Sequence, residues 1–420
     1  MKEEFLHFIW QNQYVQPSLF TAEGLPIVVK NKGVLNSFNG PDFSNAQIEI
    51  GGQLWAGNVE IHTKSSDWDL HKHQLDENYN NVILHVVWVF DKEISTLSGH
   101  KPNTLVLGQY AQPAIISRLQ DFSLSSAYPC ENKISEVDSF IINSYIDRLI
   151  VERFEVRNKR IQGDYIEEGY DLNESFYRLM ALAFGQKINQ MGFDMLSKSL
   201  SIKVLSKHVG DIIAIESMVF GVAGFLEKDL EVDHYIRLKQ SFEHLKNKYN
   251  LKPIPFSIWH RGGLRPANFP AVRLAQFSAL INKSTRFFNL LEFTPNYTEL
   301  KDLLLCSPSP FWLTHYGFEK ESPQREKKLS AQFVNHLIIN AFLPFYFYFK
   351  RRSGGASIDM VQSILQQLPP EKNSALSDIE RMGLPNKNAL HSQAFYHLFR
   401  NYCSEKKCLN CRIGHKVLSN

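Results

Sequence analysis

The spacing of apolar side chains changes character along this chain. Residues 3–16 carry Phe5, Phe8, Ile9 and Tyr14 at helical intervals, which predicts an amphipathic helix. From residue 25 the runs shorten. Pro26–Lys30 reads as a strand closed by an Asn31-Lys32-Gly33 turn. Ala46–Ile50 and Leu54–His62 flank Gly51-Gly52, a two-residue hairpin signal. Residues 63–80 are polar. Val82–Phe90 is then an almost unbroken apolar run, the pattern of a strand buried on both faces. Thr104–Leu107 adds one more short strand. After Pro129-Cys130 the period becomes three and four, and Ile141–Ile161, Leu172–Met191, Ile212–Leu226 and Tyr235–Tyr249 predict helices. Pro253, Pro255, Pro266 and Pro270 punctuate a loop-rich stretch before a helical run at Ala271–Asn282, and 290–400 is helical by pattern. The expectation is an α+β protein. An α/β domain with a mixed sheet spans 1–130, a larger, mostly α-helical domain spans 131–400, and a Cys-rich tail spans 401–420.

Composition narrows this picture only a little. A chain of 420 residues is long for one core. With 44% hydrophobic and 21% charged residues it reads as globular. A formal net charge of +3 is too weak to imply nucleic-acid binding by itself, so any such surface must be a local patch. The first residues form no signal peptide, and the richest apolar stretch, Leu337–Phe349, is broken by Asn340 and Pro344. The expected location is the cytoplasm, with no membrane partner.

The candidate chemistry lies on the predicted hairpin. Alternate side chains share a strand face, so Val59 and Ile61 point to a core while Asn58, Glu60 and His62 point away, with Lys64 next in line. Asp42 enters the preceding strand after Gly40-Pro41. Carboxylates suit a hard cation such as magnesium or manganese, and Asp42 and Glu60 could supply them. Such a metal would polarise a phosphodiester and acidify a bound water. His62 is a candidate base or additional ligand, and an imidazole ligand favours manganese or zinc over magnesium. In strict hairpin register Asp42 falls opposite Ile61 and points away from Glu60; either a bulge repairs this, with Gly57 a plausible place for it, or Pro41-Asp42 lies beyond the ladder. His71 and His73, in a block with Asp76 and Tyr79, are candidates for substrate phosphate or a second metal, and His85 sits inside the next strand.

Pro41-Asp42 followed by Glu60-Ile61-His62 on the far strand resembles the PD-(D/E)XK nuclease signature, and the leading helix and strand order are similar to that fold. The resemblance implies a metal-dependent phosphodiesterase acting on DNA or RNA, with Asp42 and Glu60 as ligands. It departs at the third motif position, where His62 stands in place of lysine and Lys64 is a possible substitute. The alternative is a catalytically degenerate nuclease scaffold retained as a nucleic-acid-binding or assembly module. A hydrolase of another phosphorylated substrate is a third possibility. Nearly end to end, the chain also resembles the uncharacterised family called domain of unknown function 2851. That likeness rests on Gly40-Pro41-Asp42-Phe43, Val59–His62 through Ser66-Asp67-Trp68, Val82–Trp88, Arg265-Pro266-Ala267-Asn268-Phe269-Pro270 and the terminal cysteines. It implies a bacterial source and no established activity.

Two further groups stand out. Cys403, Cys408, Cys411 and His415 offer soft or borderline ligands in thirteen residues, with Cys408-Leu409-Asn410-Cys411 as a knuckle. Zinc is the expected ion. Cys130 could reach the cluster if the tail folds back, and four cysteines would also permit an iron–sulfur cluster. Trp259-His260-Arg261 through Arg265 and Arg273 places arginines and an indole in a loop, so Arg261 and Arg265 are candidate phosphate contacts and Trp259 a candidate stacking platform. Lys350-Arg351-Arg352 is a second basic turn.

Overall fold

The structure, a computed structural model, describes residues 2–36, 39–124, 128–283, 296–355 and 358–419. Its apolar alternation before residue 110 folds into one seven-stranded mixed sheet. Helix α1 (Glu3–Asn12) precedes strands β1 (Leu19–Phe20), β2 (Pro26–Asn31), β3 (Val34–Leu35), β4 (Phe43–Ile50) and β5 (Gln53–Lys64). A short helix, α2 (Asp67–Leu70), leads to β6 (Val82–Val89) and β7 (Asn103–Val106), and α3 (Pro113–Leu124) follows. The spatial order is β1-β2-β4-β5-β6-β7, with β3 paired to β4. The strands up to β5 pair antiparallel, while β6 joins β5 and β7 joins β6 in parallel.

Gly51 and Gly52 take φ of 60° and 84°, the left-handed pair that a tight hairpin needs, and Ile50 pairs with Gln53 across them. Both alternatives hold: Asp42 stands just before β4, and a bulge exists but lies on β4. Phe43 pairs with Val59 and Ala46 with Gly57, so β4 holds one extra residue, and Asn45 takes φ of 58° there. Asp42 is thereby brought beside Glu60. Gly57 serves close packing instead, since a Cβ there would lie 2.5 Å from the Asn81 carbonyl and 2.5 Å from Ile83 Cγ2.

The face opposite the polar groups is the core. Ile48, Val59, Ile61, Leu84, Val86 and Leu105 are fully buried there. Helix α1 buries Phe5, Leu6, Phe8, Ile9 and Trp10, and the Trp10 indole donates to the Lys32 carbonyl at 3.1 Å.

The chain divides into two compact units. The first comprises residues 1–145, 377–384 and 398–420, and the second 146–376 and 385–397. The sheet unit thus extends past the boundary expected at 130, and the terminal segment folds as part of it. Leu418 belongs to the sheet's own core, Tyr14 and Ser419 share a 2.6 Å hydrogen bond, and Arg118 donates to the Leu418 carbonyl at 3.1 Å.

The second unit is helical. Ser139–Ile161, which begins in the first unit, Ile212–Val222, Asp233–Tyr249 and Pro270–Lys283 match the sequence pattern, while the run expected at 172–191 is split into Leu172–Gly185 and Gln190–Ser199. The expected helical stretch at 290–295 lies outside the described residues. Among the described residues no helix is long and apolar enough to cross a membrane.

Candidate metal centre

Strand β5 projects Glu60 and His62 onto one face, and parallel pairing places His85 of β6 opposite Glu60. The turn after β5 delivers two more imidazoles. Its start is fastened by Asp91, which accepts from Ser65 Oγ at 2.9 Å, Ser66 N at 2.9 Å and Ser66 Oγ at 2.8 Å. Between His71 and His73 stands Lys72 with φ of 64°, a left-handed conformation costly for a side chain with a Cβ. This kink lets both neighbours face His62. Backbone strain of this kind concentrates at functional sites.

Three imidazole nitrogens converge, and Glu60 Oε1 stands beside two of them. His62 Nε2 lies 3.1 Å from His71 Nδ1 and 3.5 Å from Glu60 Oε1, and His73 Nε2 lies 3.2 Å from the same oxygen. Each of His62, His71 and His73 offers a ligand atom within 4.8 Å of the others. An ion bound tetrahedrally at about 2.0–2.1 Å from N and O ligands holds them about 3.3–3.4 Å apart, so the spacings fit one ion. His73 supports this further. Its Nε2 is buried and has no hydrogen-bond partner despite its nearness to Glu60. Two ligands aimed at one centre approach in this unaligned way.

A second layer orients the ligands. His62 Nδ1 meets His85 Nε2 at 2.9 Å in a buried contact, which frees Nε2 for the centre. Trp68, fully buried, packs its ring edge-on against His73 at 5.4 Å and His85 at 5.3 Å, and its Nε1 donates to the Ser95 carbonyl. Tyr79 stacks on His73 at 3.8 Å.

Asp42 stands at the flank. Its Oδ2 accepts from Ile61 N at 2.9 Å and meets His7 Nε2 at 3.1 Å, while its own N–H donates to Glu60 Oε2 at 3.0 Å. Asp42 therefore fixes Glu60 through its backbone and holds His7 through its side chain. Glu3, one turn before His7 on α1, adds another acid.

Protonation follows from this crowding. Burial pushes the Glu60 carboxyl up to about 9, and the charge of Asp42 adds to the shift. Burial lowers His62 to about 2 and His85 to about 3, with neighbouring imidazoles adding to both. His73 is lowered by burial as well. His7 behaves oppositely: burial disfavours its charge, but the hydrogen bond and charge of Asp42 outweigh that and raise it. Without a cation His62, His73 and His85 are thus held neutral and Glu60 keeps its proton.

The structure therefore gathers Asp42, Glu60, His62, His71 and His73 into one site. Lys64 lies further along the strand at its exposed end. Sequence pattern does not single out Glu3 and His7; the one signal is their four-residue spacing on the helix that precedes the motif. The arginines of the helical unit are otherwise engaged or exposed. Arg261 lies over the Phe256 ring at 4.4 Å, and Arg265 is exposed before the turn at Pro266–Asn268. Trp259 is not a stacking platform. Only 3% of it is exposed, and its indole donates to the Ala223 carbonyl at 2.8 Å. Arg273 is buried over the Phe333 ring and bonded to Gln276 and Asn268, and Arg351 pairs with Glu155.

The chain belongs to a protein family of unknown function, DUF2851, whose model matches residues 3–374. The match covers every residue of the histidine–carboxylate site and Cys130, and stops before Cys403. No curated protein and no solved structure matches the chain.

Proposed function

We propose that this protein is a metal-dependent phosphodiesterase that acts on nucleic acid. The observation that carries the metal is the convergence of His62, His71 and His73, with Glu60 Oε1 beside His62 and His73 at spacings suited to a shared ion. Three imidazoles and one carboxylate favour manganese or zinc over magnesium. Bound there, such an ion supplies Lewis acidity and an acidified water. The phosphodiester class rests on the PD-(D/E)XK resemblance. What supports it is Asp42 immediately before β4, Glu60 and His62 on β5, α1 ahead of both, and a crossover to parallel β6.

The chain's own groups divide the work. Asp42 holds Glu60 in place through its N–H and favours the charged form of His7. His7, about a quarter exposed, is the proton donor for a leaving oxygen. His85 and Trp68 lock the orientation of His62 and exclude water from its inner side.

The second reading is a scaffold that binds nucleic acid without cutting it. One observation favours it: the position of the resembled family's lysine is held by His62, whose charged form is strongly disfavoured. Labelled single- and double-stranded DNA and RNA, incubated with protein and manganese or zinc, test both. Cleavage by the wild type, lost in Glu60→Ala and His73→Ala, establishes the enzyme. Equal, salt-dependent binding by all three proteins without cleavage establishes the scaffold.

A further inference from the structure

The sheet unit contains a second group of metal-ligating side chains, remote in sequence from the first. Cys130 follows α3, and the other three thiols come from the chain's last segment. All four belong to the same compact unit, and none forms a disulfide. The short turn Glu131–Glu136, immediately after Cys130, packs against the terminal helix Arg412–Ser419, which itself packs on the Cys408–Asn410 turn.

The Cys408–Cys411 turn is shaped around its sulfurs. Cys411 N donates to the Cys408 carbonyl at 3.1 Å. Cys411 itself is buried. Gly414 cannot be replaced without disturbing this turn, since a Cβ there would lie 2.4 Å from the Cys408 carbonyl. His415 is turned to another use. Its Nε2 pairs with Asn12 Oδ1 at 2.9 Å and its ring packs against Phe8. Cys306 belongs to the other unit, buried with its sulfur on the Gln276 carbonyl.

The Phe399–Cys403 turn packs on the Cys408–Asn410 turn, so the segments that carry the four thiols adjoin one another. Their spacing discriminates between occupants. Among the described residues only the histidine set brings three ligand atoms within 4.8 Å of one another. A single zinc ion with Zn–S of about 2.3 Å requires sulfurs about 3.8 Å apart. A cubane iron–sulfur cluster spreads its four irons over a cage and takes thiolates from a wider ring.

We propose that Cys130, Cys403, Cys408 and Cys411 are the four ligands of an iron–sulfur cluster that pins the chain's last segment to the sheet unit. The assignment is independent of the reading given to the histidine site. The full chain, expressed with iron and sulfide supply and purified without oxygen, is analysed for iron, acid-labile sulfide and zinc. The expected result is about four irons and four sulfides per chain with visible charge-transfer absorption. Cys130→Ser is expected to lose or weaken that absorption at least severalfold, while His415→Ala keeps it. Iron- and sulfide-free protein overturns the proposal. So does one zinc per chain at these cysteines, or a cluster retained in full by Cys130→Ser. The wild-type composition decides the matter even if a cysteine variant fails to fold.

Discussion

The strongest test of the histidine–carboxylate site is the proton that an entering cation must displace. In the metal-free pocket Glu60 keeps its proton because burial and Asp42 oppose its charge, whereas His62 and His73 are neutral. Between about pH 7 and 8.5 an ordinary carboxylate is fully ionised and metal affinity would be flat. Here the ion must displace one proton from Glu60, so affinity rises tenfold per pH unit, about 1.4 kcal/mol each. Across that window the gain is about 30-fold, or roughly 2 kcal/mol. Manganese titration by calorimetry in two buffers of different protonation enthalpy reads the proton count directly. The expected release approaches one proton per ion at the lower end, and Glu60→Gln abolishes both the release and the slope. A pH-independent affinity with no proton released refutes the reasoning, because it means that Glu60 is already ionised.

The same linkage acts on folding. The folded carboxyl of Glu60 holds its proton while the unfolded chain gives it up above about 4.5, so metal-free protein loses stability as pH rises from 6 to 8. The expected loss is about 2–3 kcal/mol relative to Glu60→Gln, read by urea unfolding, and parallel profiles exclude it. Lys72→Gly removes the left-handed cost and should raise stability by up to about 1 kcal/mol with metal affinity kept, whereas Lys72→Val should weaken both. Gly57→Ala forces a Cβ against Asn81 and Ile83 and should cost about 1–3 kcal/mol, visible as a lowered Tm. Trp259→Ala should cost about 3–5 kcal/mol of stability while leaving the nucleic-acid affinity of the folded protein unchanged.

What could be read from the sequence follows from which interactions are local. The Gly51-Gly52 hairpin, the buried Val82–Val89 strand and most helices were legible because turn chemistry and apolar period are properties of neighbours. Even the register conflict, with a bulge as one way out, could be deduced, since strand register is integer arithmetic. Its position could not, because Gly57 looks permissive while Asn45 carries the positive φ. Trp259 reads as exposed beside prolines and glycines. Yet Gly192 leaves room for its ring, with a Cβ there only 2.7 Å from Trp259 Cζ3, and that contact spans 67 residues of sequence. His71 and His73 are visible as ligand types, but their common aim depends on the Lys72 kink. Glu3 and His7 join the site only because α1 packs on β5, a relation that local pattern does not encode.

The first unit is assembled from both ends of the polypeptide, with Leu418 filling a place among side chains laid down some three hundred residues earlier. During synthesis this unit cannot close until the Arg412–Ser419 helix has left the ribosome, although its strands emerge first. The intervening 146–376 segment can meanwhile gather its own core. Shortening the chain from its carboxyl end, even by two dozen residues, therefore reaches the sheet before it reaches most of the helices. A fragment ending at residue 145 is accordingly an unfinished body with an open flank, and dissecting this protein into halves calls for joining its two extremities, not for a single cut.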